Sequence, residues 1–158
     1  MTAVEAFNSD TPPVRIIATD VDTRVLETAS SGIYEDARVK SLSRERLHRF
    51  FMRGTGSRRG CVKVRPELRK LVTFRALNLL DTGWAIHGPL DAILCRNVMI
   101  YFDRATQLGI LSRMSPLLAD DGLLFTGHSE NFSHAADLFR LRGKTVYELS
   151  ANAGKRRE

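Results

Sequence analysis

DAILCRNVMIYFD, residues 91–103, is the stretch on which the reading of the fold turns. Ala92, Ile93, Leu94 and Cys95 run apolar without alternation, the pattern of a parallel strand covered on both faces. Arg96 and Asn97 then emerge at the strand's carboxyl end, the edge at which open α/β sheets bind ligands. Tyr101 follows four residues after Asn97. A long polar pair is costly to bury unless something bonds it. A strand-end salt bridge with a helix cap explains the pair as well as a ligand does.

Around this stretch strands and helices alternate. VRIIATDVD (14–22) reads as a strand ending in two acids, Thr23 as the cap of a short helix through Ala29, and Gly32 as its terminator. SRERLHRFF (43–51) sets Leu47, Phe50 and Phe51 against basic residues, an amphipathic helix with a basic face. Residues 53–66 change texture, with Gly54, Gly56 and Gly60 ahead of the alternating CVKVR, and predict a hairpin set outside the main sheet. LVTFRALNLL (71–80) supplies a third strand and 91–95 a fourth. Asp103 caps a helix from Arg104 to about Leu118, followed by a polar turn at Gly122 and a strand over 123–126. FRLRG and TVYELS predict two antiparallel strands joined at Gly143-Lys144. The alternation predicts an α/β fold, a doubly wound and mostly parallel sheet with antiparallel end strands and a small β-hairpin subdomain.

Composition sets the class. The 158 residues, 43% hydrophobic and 27% charged, suit one soluble globular domain. No apolar run approaches the roughly 20 residues of a membrane span, and MTAVEAFNSDTPP lacks the pattern of a signal peptide, so a cytoplasmic protein without membrane insertion is expected. Cys61 and Cys95 read as reduced thiols, and no metal-ligand spacing surrounds them. The net charge of +6 gathers at Arg44, Arg46, Arg49 and Arg53, again between Arg58 and Lys70, and in a basic tail over 151–158 that is expected to be disordered. Such a balance suits an acidic partner. Without interleaved aromatics or a nucleic-acid motif, specific nucleic-acid readout is not expected.

Three strand ends suggest one ligand. Asp20 closes the first strand, where a carboxylate can accept both hydroxyls of a ribose. Asn78 closes the next, with an amide suited to an adenine edge and Leu79 to its face. Arg96-Asn97 closes the fourth. An acid after a strand is more often a helix cap, so each position alone is weak. Together they point to an adenosine-type ligand. No GxGxxG opens a helix after a strand, which disfavours a nicotinamide dehydrogenase.

ATDVDTRVLETASSGIY, LSRERLHRFFMRGTG, FRALNLL, DAILCRNVMIYFD and DGLLFTGHSENF, in that order, resemble the C-terminal catalytic domain of chemotaxis receptor protein-glutamate O-methyltransferases. The resemblance implies a Rossmann-like fold and methyl transfer from S-adenosyl-L-methionine to receptor glutamates, giving methyl esters and S-adenosyl-L-homocysteine. It also puts Asp20 at the ribose and Asn78-Leu79 at the adenine. Arg96-Asn97 would line the cofactor pocket, and Tyr101 would lie beside the transferred methyl. Tyr101 and Arg96 are the implied catalytic residues. Residues 53–64 match a β-subdomain by which some members hold a receptor's tail peptide, so the implied partners are receptor cytoplasmic helices or that tail.

The family pattern begins with a helical domain, then a strand and a glycine-rich acidic loop ahead of the ribose acid. Here MTAVEAF reads as the second half of the helix after that loop. Residues 1–150 are therefore expected to be a partial catalytic domain, with a strand edge open to aggregation or pairing and with weakened binding of S-adenosylhomocysteine. The non-enzymatic alternative is a remnant that binds an acidic receptor or partner segment through its basic hairpin. His128 in GHSENF is a tempting base, but a glutamate ionised near neutral pH needs none, and a loop histidine is the plainer reading. Ser129-Glu130-Asn131 reads equally well as a turn and cap.

Overall fold

The computed structural model describes residues 1–151, so the expected basic tail lies, from residue 152 onward, outside the described residues. The chain divides into two compact units, Met1–Asn78 and the part from Leu79 onward.

The first unit opens with helix α1 (Thr2–Ala6), whose Glu5 accepts hydrogen bonds from the Arg46 guanidinium through both carboxylate oxygens. Strand β1 (Ile16–Asp20) leads into helix α2 (Thr23–Ser31). The cap of α2 is Asp22 rather than Thr23: its carboxylate lies one residue outside the helix and accepts from the Arg24 amide at 2.9 Å. Gly32 ends α2 at φ 65°, a left-handed conformation that a side chain would strain. There follow β2 (Ile33–Glu35), α3 (Asp36–Val39), α4 (Arg44–Phe50), β3 (Phe51–Arg53), β4 (Cys61–Val64), α5 (Pro66–Arg69) and β5 (Val72–Ala76). Ser43 caps α4 by accepting from the Arg46 amide.

Strands β1 and β5 pair in parallel, from Ile16 opposite Val72 to Asp20 opposite Ala76. Within their long connection lies a separate antiparallel sheet, ordered β2-β4-β3. The expected hairpin is its β3–β4 half. The third strand, β2, was not anticipated, because three residues are too few to show an alternation. Val4, Phe50 and Val62 are the buried apolar side chains of this unit.

The second unit contains β6 (Leu90–Leu94), α6 (Arg104–Met114), β7 (Leu118–Phe125), β8 (Phe139–Gly143) and β9 (Val146–Leu149). Their sheet is ordered β6-β7-β9-β8, parallel between β6 and β7 and antiparallel thereafter. The mixed α/β class and the antiparallel end strands agree with the sequence. Among the described residues each unit contributes one parallel pair, β1 with β5 and β6 with β7. The polar stretch at Asp120-Asp121-Gly122 lies inside β7, where the ladder jumps from Leu90–Leu118 to Ala92–Leu123. The expected turn appears as this irregularity in the ladder.

Helix α6 starts at the Asp103 cap, whose Oδ1 accepts from the Thr106 amide at 2.8 Å. It buries Ile110, Leu111 and Met114 against Leu118, Leu124, Phe132, Phe139 and Tyr147. Leu108 is exposed. The expectation that β6 is covered on both faces does not hold: Cys95 is buried, but Leu94 is 73% exposed. Among the described strands β6 pairs along one edge only, with β7.

Candidate functional site

In the first unit the parallel register brings two expected residues to one edge. Asp20 ends β1, and its carbonyl accepts from the Leu77 amide at 3.0 Å, one residue before Asn78. Asp20 and Asn78 thus stand at the carboxyl ends of adjacent parallel strands. Asp20 Oδ1 accepts from the Asp22 amide at 2.9 Å, which orients the carboxylate. Among the described residues nothing donates to its second oxygen.

In the second unit Arg96, Asn97 and Tyr101 leave the end of β6 together. The Cys95 amide still donates to the Phe125 carbonyl at 2.8 Å, so the ladder holds up to the residue before Arg96. Arg96 and Asn97 are exposed, and Asn97 takes a left-handed φ of 58°. Met99–Tyr101 forms a 3₁₀ turn, tied to α6 where Gln107 Nε2 donates to the Met99 and Phe102 carbonyls at 2.9 and 3.1 Å. Tyr101 is 80% exposed. Leu79 is half-buried on this unit's core, and its carbonyl accepts from Arg113 Nη2 at 2.8 Å. His128 is exposed in the loop after β7.

Two residues of this strand end were not expected there. Glu130 is buried, and its carboxylate accepts from the Val98 and Met99 amides at 3.0 and 2.8 Å and from the Gly127 amide. It is neither a simple turn residue nor a helix cap. A side chain on Gly127 would meet Asn97 Oδ1 at 2.3 Å. The available signal was the G-x-x-E spacing, but acids in loops are usually solvated, so spacing alone does not announce burial. Burial, and secondarily the Glu130 charge, push the Cys95 thiol up to about 11, which leaves it unsuited to act as a nucleophile. Among the described residues no cluster of His, Cys, Asp or Glu is gathered to hold a metal ion, and no helix is long and apolar enough to cross a membrane.

Polar groups at the carboxyl ends of parallel strands mark a ligand-binding α/β protein. Comparison with known proteins makes the class specific. Residues 1–148 match the model of the family described as CheR methyltransferase, SAM binding domain, and the chain belongs to that family, whose ligand is S-adenosylmethionine. The chain is 53% identical over 150 residues to a chemotaxis protein methyltransferase of Escherichia coli (strain K12), covering 95% of this chain and 52% of that protein. It is 57% identical over 136 residues to one from Salmonella typhimurium (86% and 47%), and 53% identical over 147 residues to chemotaxis protein methyltransferase 2 of Pseudomonas aeruginosa (93% and 52%). The chain thus spans about half the length of these relatives.

Proposed function

We propose that this chain is part of the catalytic domain of a cytoplasmic enzyme that transfers a methyl group from S-adenosylmethionine to glutamate carboxylates of chemotaxis receptors. Family membership supports the cofactor and the chemotactic setting. The observation that carries the site is that Asp20 and Asn78 lie at the carboxyl ends of the paired strands β1 and β5, with one Asp20 oxygen oriented by Asp22 and the other unengaged among the described residues. A fixed carboxylate with an unengaged oxygen fits a vicinal diol. In this reading Asp20 accepts the ribose hydroxyls and Asn78 bonds the adenine edge. Leu79 packs near the base, and Arg96-Asn97 line the cofactor.

S-adenosylmethionine supplies a methyl carbon already made electrophilic by its sulfonium. The receptor glutamate is ionised near neutral pH, so the protein need not remove a proton. The remaining work is alignment in a water-poor site. Arg96 organises the pocket or meets the incoming carboxylate, and Tyr101 orients or flanks the transferred methyl, a role its exposed position at the strand end permits.

Titrating S-adenosylhomocysteine into the protein by calorimetry tests this reading. Asp20→Ala removes charge-assisted bonds and weakens binding by roughly tenfold to a hundredfold, whereas Asp22→Ala has a smaller effect. Equal affinities for wild type and Asp20→Ala would refute the ribose assignment.

One further observation favours a docking role beside catalysis. A groove of about 220 Å³ on the antiparallel sheet is lined by Ile33, Met52, Arg53, Arg58, Cys61 and Lys63. Its basic rim and the edge of β3, unpaired among the described residues, suit an acidic receptor tail added as a further strand. Replacing Arg58 and Arg59 with Glu abolishes capture of such a peptide. Capture that survives the change eliminates the docking role.

A further inference from the structure

Burying a carboxylate costs several kcal/mol unless it is well bonded. Glu130, 8% exposed, has no cationic partner among the described residues and is satisfied instead by backbone amides. Two of these amides, Val98 and Met99, belong to the exit of β6, and the third, Gly127, to the loop after β7. The carboxylate therefore staples two neighbouring strand ends together. Asn97, immediately before the stapled amides, holds a left-handed φ that is uncommon for a residue other than glycine. Its side-chain oxygen occupies the space a Cβ at Gly127 would need. A buried acid, a left-handed Asn and a glycine without room for a methyl converge on one turn.

We propose that Glu130 and Gly127 are positioning residues for cofactor binding: together they fix the backbone and carboxamide of Asn97 in the conformation that faces the ligand. The assignment rests on the reading of Arg96-Asn97 as cofactor-lining. Glu130 does not itself touch the ligand. Gln at position 130 keeps the shape but sets an N–H group against at least one amide, so the staple cannot close on both sides at once. Ala at position 127 displaces the Asn97 side chain directly.

The test measures S-adenosylhomocysteine affinity for wild type, Asn97→Ala, Glu130→Gln, the double variant and Gly127→Ala. A core variant, Ile110→Val, serves as the control for lost stability. Each of Asn97→Ala, Glu130→Gln and Gly127→Ala weakens binding by about tenfold, the double variant is no weaker than Asn97→Ala alone, and Ile110→Val has no such effect. Amide exchange at Val98 and Met99 quickens in Glu130→Gln while the rest of the core stays protected. Additive losses in the double variant, or unchanged exchange at those amides, overturn the positioning role. Weakening by Asn97→Ala with normal binding by Glu130→Gln refutes the staple and leaves the cofactor reading standing. Normal binding by Asn97→Ala refutes the reading of Asn97 as cofactor-lining and the proposal with it.

Discussion

Raising the pH should weaken the second unit through one thiol. Cys95 is 8% exposed, and its pKa stands at about 11 against an ordinary value of 9.0, from burial first and the Glu130 charge second. Because the folded value is the higher, the folded state holds its proton where the unfolded chain has already lost it. Stability from this source is complete below pH 9.0 and is lost as pH rises toward about 11. Linkage gives a loss of about 1.4 kcal/mol at about pH 10 and a ceiling of about 2.7 kcal/mol once both states have ionised. The single tryptophan, Trp84, packs against the same core and under the Arg113 guanidinium at 5.3 Å, so its fluorescence follows the unfolding of this unit. Urea titrations of wild type and Cys95→Ala across this range separate the thiol from tyrosine and lysine titration, which both proteins share. The stability difference between them should be flat at neutral pH and shift against wild type by the stated amounts in alkali. A difference that stays constant from pH 8 to about 11 would mean that Cys95 ionises as freely in the folded protein as in the unfolded chain.

Acid should weaken the fold by the opposite route. Asp22 is held below its ordinary 3.8 by hydrogen bonds from Arg24, Asp103 below 3.8 by the Thr106 amide, and Glu5 below 4.5 by Arg46. With folded values depressed, their stabilisation is present above those ordinary values and disappears as pH falls through the folded ones, so circular dichroism of an Asp22→Asn, Asp103→Asn variant shows a blunted acid limb. Leu124→Ala, at a fully buried position of β7, lowers the urea-derived stability of the second unit by about 2–5 kcal/mol, and a loss under about 1 kcal/mol shows that the site collapses around the smaller side chain.

Elements whose signals are local were legible in the sequence. Asp103, the helix after it, and the hairpin turn at Gly143-Lys144 follow from capping, spacing and turn chemistry within a few residues. The strand ends at Asp20, Asn78 and Arg96-Asn97 were likewise visible, because each closes an apolar run. The acid before Thr23 showed what local reading blurs: Asp22 and Thr23 are both good caps, and only the start of the helix decides between them. Strand β2 escaped notice because its pairing with β4 is long-range and brief. The apolar run of β6 suggested two covered faces, yet a run records what a strand can bury, not which neighbours it has. Glu130 was illegible for a related reason. Its burial depends on β6 and β7 lying side by side, and the letters GHSE look the same in water as in a core.

The uneven sharing of interior between the two halves has a consequence for how ligands would register. Residues up to Asn78 enclose three apolar side chains, Val4, Phe50 and Val62, whereas the second half surrounds a continuous cluster from Cys95 to Tyr147. Opening free energy follows enclosed apolar contact, so the half that bears Asp20 breathes at lower cost than the half that bears Asn97. A molecule held by Asp20 would quiet this looser half, and its signature in deuterium uptake would be concentrated before residue 79.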